Sequence, residues 1–128
     1  MTTPDEISQM LREECIDFVQ ERDADGGRWL IFYALGVIVL ELSVSGESIR
    51  FRTGPIIDLT GLSAGERYEQ LCRAMSANER LGLGRYCGTE QINFEIGMPF
   101  PSDSPLSTEQ LMLGIRTAAA IGSSPELV

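Results

Sequence analysis

The chain has neither histidine nor lysine, and its ten basic residues are all arginine. That double absence removes the imidazole general base, the imidazole metal ligand, the Schiff-base amine and the lysine of a phosphate-binding loop together. Cysteine is scarce too: Cys15, Cys72 and Cys87 are odd in number and far apart. Three thiols with no histidine to join them fall short of the four ligands of a structural zinc site, and they fit a reducing compartment. Positive charge is in the minority, 10 basic against 19 acidic side chains for a formal charge of −9. Nucleic acid and anionic membrane surfaces are bound by neutralising phosphates, so neither is an expected partner. Long apolar runs are missing as well. The longest, residues 29–40, is 12 residues, against the roughly 20 that a membrane-spanning helix needs. The first 21 residues are acidic and amphipathic, without the basic start and apolar core of a secretory signal. The expectation is a soluble, cytoplasmic protein with no metal and no cofactor.

What is present suits a single domain over residues 1–128, because a chain of this length buries roughly two-thirds of its unfolded surface without staples. Three segments open with a capping box and continue with apolar residues at helical spacing. The first is Thr3-Pro4-Asp5-Glu6, followed by the stripe Ile7, Met10, Leu11, Cys15, Phe18 and Val19. The second is Ser63-Ala64-Gly65-Glu66, with Ala64, Tyr68, Leu71, Cys72 and Met75 on one face. The third is Ser107-Thr108-Glu109-Gln110, leading into Leu111, Ile115, Ala118 and Ala119, with Gly122 as its stop. On these stripes Cys15 and Cys72 read as small buried hydrophobes.

Between the helices the period changes to two. Residues 28–35 and 37–44 read as strands separated by Gly36, with Ile38, Leu40, Leu42 and Val44 facing one way and Val37, Val39, Glu41 and Ser43 the other. After the reversal Ser45-Gly46-Glu47, Ile49 and Phe51 alternate with Arg50 and Arg52. Residues 84–88 and 91–97 form a second hairpin in which Ile92, Phe94 and Ile96 oppose Asn93 and Glu95. Residues 99–107, with three prolines, connect to the last helix. The predicted fold is α+β: two layers, an antiparallel five-stranded sheet and the order α-β-β-β-α-β-β-α. Helices should cover the face presented by Ile38, Leu40, Leu42, Ile49, Phe51, Ile92 and Phe94.

Motifs for chemistry are few. The acidic turn at residues 21–26 imitates a calcium loop, but its twelfth position is Phe32 where a bidentate glutamate is required. Gly82-Leu83-Gly84 leads into a strand, not a helix, and lacks the third glycine and lysine of a phosphate loop. No thiol or hydroxyl has a histidine partner, so no nucleophilic triad can be assembled, and the expectation is a non-enzyme. Arg50 and Arg52 share a face type with Glu41. They pair across strands or, with Arg85, form an arginine-bearing groove for a small anion.

A surplus of apolar residues is the more informative feature. Val37 and Val39 lie on the face that Glu41 and Ser43 mark as outward, and Trp29, Ile31 and Tyr33 alternate with Leu30, Phe32 and Ala34, so one strand is apolar on both sides. One helical layer covers one face only, which makes Val37 and Val39, or Tyr68, Leu71 and Met75 on the middle helix, candidates for partner binding.

The order of elements resembles the type III secretion chaperone-like fold and the YbjN-like proteins grouped with it. In the second half, Asn78, Gly84-Arg85-Tyr86, Ile92-Asn93-Phe94-Glu95, Met98-Pro99-Phe100-Pro101 and Leu106-Ser107-Thr108-Glu109-Gln110-Leu111 look like that group's pattern. The resemblance implies a small acidic homodimer that binds other polypeptides or acts in regulation, with no catalytic residues to carry over. The expected function is therefore a chaperone-like, adaptor or regulatory interaction module, with a small-anion sensor as the alternative.

Overall fold

In a computed structural model of the chain, which describes residues 2–21, 26–34, 36–80, 84–88, 90–101 and 103–122, all three capping boxes begin helices. These are α1 (Pro4–Glu13), α2 (Ala64–Arg80) and α3 (Thr108–Gly122). Thr3, Ser63 and Ser107 each accept a hydrogen bond from the backbone N–H three residues on, at 3.2–3.3 Å. Gln110 closes the third box by accepting from the Ser107 N–H at 2.9 Å. The carboxylates of Glu6 and Glu66 accept instead from the capping hydroxyls.

Seven strands fill the remaining chain: β1 (Asp17–Glu21), β2 (Gly27–Tyr33), β3 (Gly36–Leu42), β4 (Ser48–Thr53), β5 (Ile57–Asp58), β6 (Arg85–Cys87) and β7 (Gln91–Pro99). The sheet is antiparallel in every pairing and runs β1-β2-β3-β4-β7. Glu95 of β7 lies opposite Arg52 of β4 on one side and Arg85 of β6 on the other, and β5 pairs with the first residues of β7. The buried Thr53 joins β4 to β7. Its hydroxyl accepts from the Phe94 N–H at 2.9 Å and its carbonyl from the Asn93 amide at 2.9 Å. The fold is thus α+β with helices on one side of an open antiparallel sheet, as the alternation predicts, but with two strands more than five.

The extra strand at the N-terminus corrects the first stripe. α1 stops at Glu13 in a Schellman turn, where Cys15 N–H bonds to the Arg12 carbonyl and Ile16 N–H to the Leu11 carbonyl, both at 3.0 Å. Cys15 takes the left-handed position at φ +57°, and Ile16 folds onto fully buried Leu11. Phe18 and Val19 are consequently strand residues, and Cys15 is exposed, not core. Val44 is likewise not an inward strand residue. β3 ends at Leu42, and Val44 sits 75% exposed in a turn tied by the Ser43 hydroxyl, which accepts from the N–H groups of Glu47 and Ser48.

The inward face is the one expected: Ile38, Leu40, Leu42, Ile49, Phe51, Ile92 and Phe94 are all buried beneath the helices. α3 lies close on β4, since a Cβ at Gly114 would come within 3.0 Å of three Phe51 ring carbons. Trp29 is fully buried, and its indole N–H donates to the buried Ser8 hydroxyl of α1 at 3.0 Å. Ser8 in turn donates to Gln20 of β1 at 3.1 Å, so one hydrogen-bond chain locks α1 to the first hairpin. No described helix is long and apolar enough to cross a membrane.

Candidate interaction surface

Because side chains alternate along each strand, the residues that do not point at the helices line up across the outward face in rows set by the register. One row runs Val19, Leu30, Val39, Arg52, Glu95, Arg85 from β1 to β6. The neighbouring row is Asp17, Phe32 and Val37. On the other side stand Glu21, Arg28, Glu41 and Arg50, one per strand and alternating in sign. The face therefore divides into an apolar quadrant over β1–β3 and an ion-paired region over β3, β4, β7 and β6.

Within the quadrant Val19 is 52% exposed, Phe32 47% and Val37 43%, while Leu30 and Val39 are half-buried between them. α1 and α3 lie on the opposite, inward side and α2 lies against β6. Of the residues expected to bind a partner, Val37 and Val39 come together here with Leu30 and Phe32. Val19 escaped sequence reading because it falls at helical spacing behind Ile7 and Leu11.

The middle-helix candidates form a separate strip. Tyr68 and Met75 are 70% and 69% exposed, with Leu71 and Cys72 half-buried beside them. α2 turns Ala74 and Ala77 into the core, so the stripe read as its packing face lies at the solvent margin. A hydrogen bond to Cys72, and then the charge of that thiol, push the Tyr68 hydroxyl above its usual value.

The arginines also converge, but on carboxylates. Arg50 reaches Glu41 at 3.0 Å and Arg52 reaches it at 3.3 Å. Glu95, the least exposed charge of the group, lies 3.7–3.9 Å from Arg50, Arg52 and Arg85. Cys87 donates to Glu95 at 3.6 Å, and burial first, then that carboxylate, push its thiol up, with Arg85 and Arg52 partly offsetting. Adding Arg28, 3.6 Å from Glu21, and Asp17, the charged residues of this face balance over β1–β4, β6 and β7, with Arg28, Arg50, Arg52 and Arg85 against Asp17, Glu21, Glu41 and Glu95, and Asp58 of β5, opposite Gln91, adds one carboxylate at its margin. Among the described residues the strands of this face thus carry little of the chain's −9.

Depressions near the face offer little for acid–base chemistry. A cavity of about 540 Å³ by the β3–β4 turn has Glu41 and Arg50 as its ionisable lining, and these two pair with each other. One of about 440 Å³ beneath the β2–β3 turn is lined by Tyr33, Val37, Ile38, Pro55, Ala118 and Ala119 among others, with no carboxylate. Among the described residues no group of three or more histidine, cysteine or acidic side chains is placed to hold a metal. The acidic turn loses residues 22–25, and the Gly82-Leu83-Gly84 stretch residues 82 and 83, to the part outside the described residues.

Fold and surface together define a two-layer α+β protein with one sheet face that no described helix covers. An uncharacterized protein from Methanothermobacter thermautotrophicus has a similar structure, with a TM-score of 0.66 and 16% sequence identity, over 94% of this chain and 92% of that one. At that identity the likeness concerns the fold alone. No protein-family model and no curated protein matches the sequence.

Proposed function

We propose that this protein is a non-catalytic interaction module of the chaperone, adaptor or regulatory kind, assembled as a homodimer through the helix-free face of its sheet. Its place is a reducing, aqueous compartment such as the cytoplasm, in keeping with three cysteines that form no disulfide among the described residues. The observation that carries the reading is the contiguous apolar quadrant in which Val19, Phe32 and Val37 are exposed around the half-buried Leu30 and Val39.

A second copy is the first occupant because of charge. Two chains of −9 repel, whereas β1–β4, β6 and β7 present four charges of each sign on this face and set little of that barrier. A two-fold axis over the quadrant lays apolar rows on apolar rows, as an isologous interface demands. The likeness to YbjN-like proteins belongs to the same proposal. The strip Tyr68, Leu71 and Met75 lies off this face and stays free for a further polypeptide.

The small-anion reading draws less support, because Arg50, Arg52 and Arg85 already hold Glu41 and Glu95, and an incoming anion must displace a carboxylate. Sedimentation analysis tests the dimer. The native chain should sediment as two copies, and Phe32→Asp or Val37→Asp should yield a monomer that keeps native circular dichroism and melts below the native chain, at a midpoint that no longer depends on concentration. Tyr68→Asp should leave the dimer intact. A native chain that stays monomeric across the accessible concentrations overturns the proposal.

A further inference from the structure

The two edges of the sheet are treated differently. At β6 the edge is sealed. The Asn78 side chain of α2 accepts from the Tyr86 N–H at 2.6 Å and donates to the Tyr86 carbonyl at 2.9 Å, occupying the main-chain pair that another strand would use. At β1 the edge is open. Asp17, Phe18, Val19, Gln20 and Glu21 pair with β2 along their full length, and among the described residues nothing takes the other side of the strand. Main-chain donors and acceptors exposed in a row are a template for strand addition, and proteins ordinarily blunt it with lysine, proline, a bulge or a covering element. β1 has no lysine, proline or bulge, and among the described residues no covering element; of the charged side chains that also guard edges it carries only the two carboxylates at its ends.

What β1 has is an acidic residue at each end of its outward row, with a half-exposed valine between them: Asp17, Val19, Glu21. A second copy cannot pair there comfortably. Antiparallel about Val19, Asp17 faces the other copy's Glu21 at both ends, and parallel in register it faces another Asp17. Like charges directly opposite are destabilising in either arrangement. The same two carboxylates suit a strand of opposite sign. Glu21 shares Arg28 at 3.6 Å, and among the described residues Asp17 has no cation within ion-pair distance. An aliphatic residue of the incoming strand placed opposite Val19 would extend the apolar row Val19, Leu30, Val39 by one member.

We propose that the β1 edge is a strand-addition site for an extended, basic segment of another protein, with arginine or lysine at alternate positions on both sides of an aliphatic residue. Main-chain hydrogen bonds supply the affinity, and Asp17 and Glu21 select the sign and the register. The site shares Val19 with the quadrant proposed above but pairs along the strand edge and needs no dimer, so a variant that breaks the dimer at Val37 tests it separately.

The test uses the full chain and a labelled synthetic peptide of sequence Ser-Arg-Thr-Val-Thr-Arg-Ser, blocked at both ends, at low salt. Binding is read by fluorescence anisotropy and by backbone amide shifts. The peptide should bind, shift the amides of residues 17–21, and weaken several-fold as salt is raised. Replacing its arginines by glutamate should abolish binding, and methylating its alternate backbone nitrogens along one edge should do the same. The double variant Asp17→Arg/Glu21→Arg, checked for native circular dichroism, should lose the basic peptide and gain the acidic one. Val37→Asp, two strands away from β1, should bind the basic peptide as the native chain does, whatever its oligomeric state. Absence of binding, equal binding by the methylated peptides on either edge, or shifts confined to the arginine-bearing strands would overturn the proposal.

Discussion

Single residues decide where this fold is rigid. The Trp29 indole N–H is buried with one partner, the Ser8 hydroxyl, itself 2% exposed on α1. Ser8→Ala leaves that donor without an acceptor in the core, and an unsatisfied buried group costs about 1–3 kcal/mol. Denaturant unfolding followed by tryptophan fluorescence should show a loss of that size, and a loss near zero would mean that the indole finds another acceptor. Legibility also varies residue by residue. The outward placement of Glu41, Arg50 and Arg52 follows from period-two alternation and is what the structure shows. That Glu95 meets Arg85 follows from the β6–β7 hairpin, whereas its approach to Arg50 and Arg52 depends on β4 pairing with β7 across more than 40 residues, which local pattern does not encode. Asn78 was singled out only as part of the family-like pattern, and its hold on β6 exists only once α2 lies along that strand.

At the scale of elements, caps and turns set the boundaries more than propensity does. The three capping boxes announced the helix starts. The end of α1 was hidden, because its left-handed residue is Cys15 where glycine is the usual signal. Phe18 and Val19 compounded this by falling at helical spacing, and a short apolar stretch has the same pattern for a helix end as for a strand. β5, two residues long, lies below what periodicity resolves. Cys15→Gly follows directly: relieving a side chain held at φ +57° should stabilise the protein by about 0.5–1 kcal/mol, after the greater freedom of glycine in the unfolded chain is counted. A thermal melt of the variant checks it, and a lowered midpoint would show that the Cys15 side chain contributes more than its backbone strain costs.

For the whole molecule, the governing fact is asymmetry between the two faces of one sheet. Three helices serve a single core on the inward side, and the outward side keeps five apolar residues next to a balanced set of charges. The composition foreshadowed this, since a strand apolar on both sides cannot be buried by one helical layer. The charge balance of that face, inside a chain of −9, emerges only when the register is known. The edges extend the same asymmetry, with β6 closed by Asn78 and β1 open beside the apolar rows.

The most direct test is a dilution series of the isotopically labelled chain, with amide chemical shifts followed by NMR. A homodimer through the helix-free face predicts concentration-dependent shifts at Val19, Leu30, Phe32, Val37 and Val39, fading as the protein is diluted, while Tyr68 and Met75 stay fixed. Shifts that move on α2 and leave the sheet untouched, or a spectrum of one chain unaltered at every concentration, would contradict it.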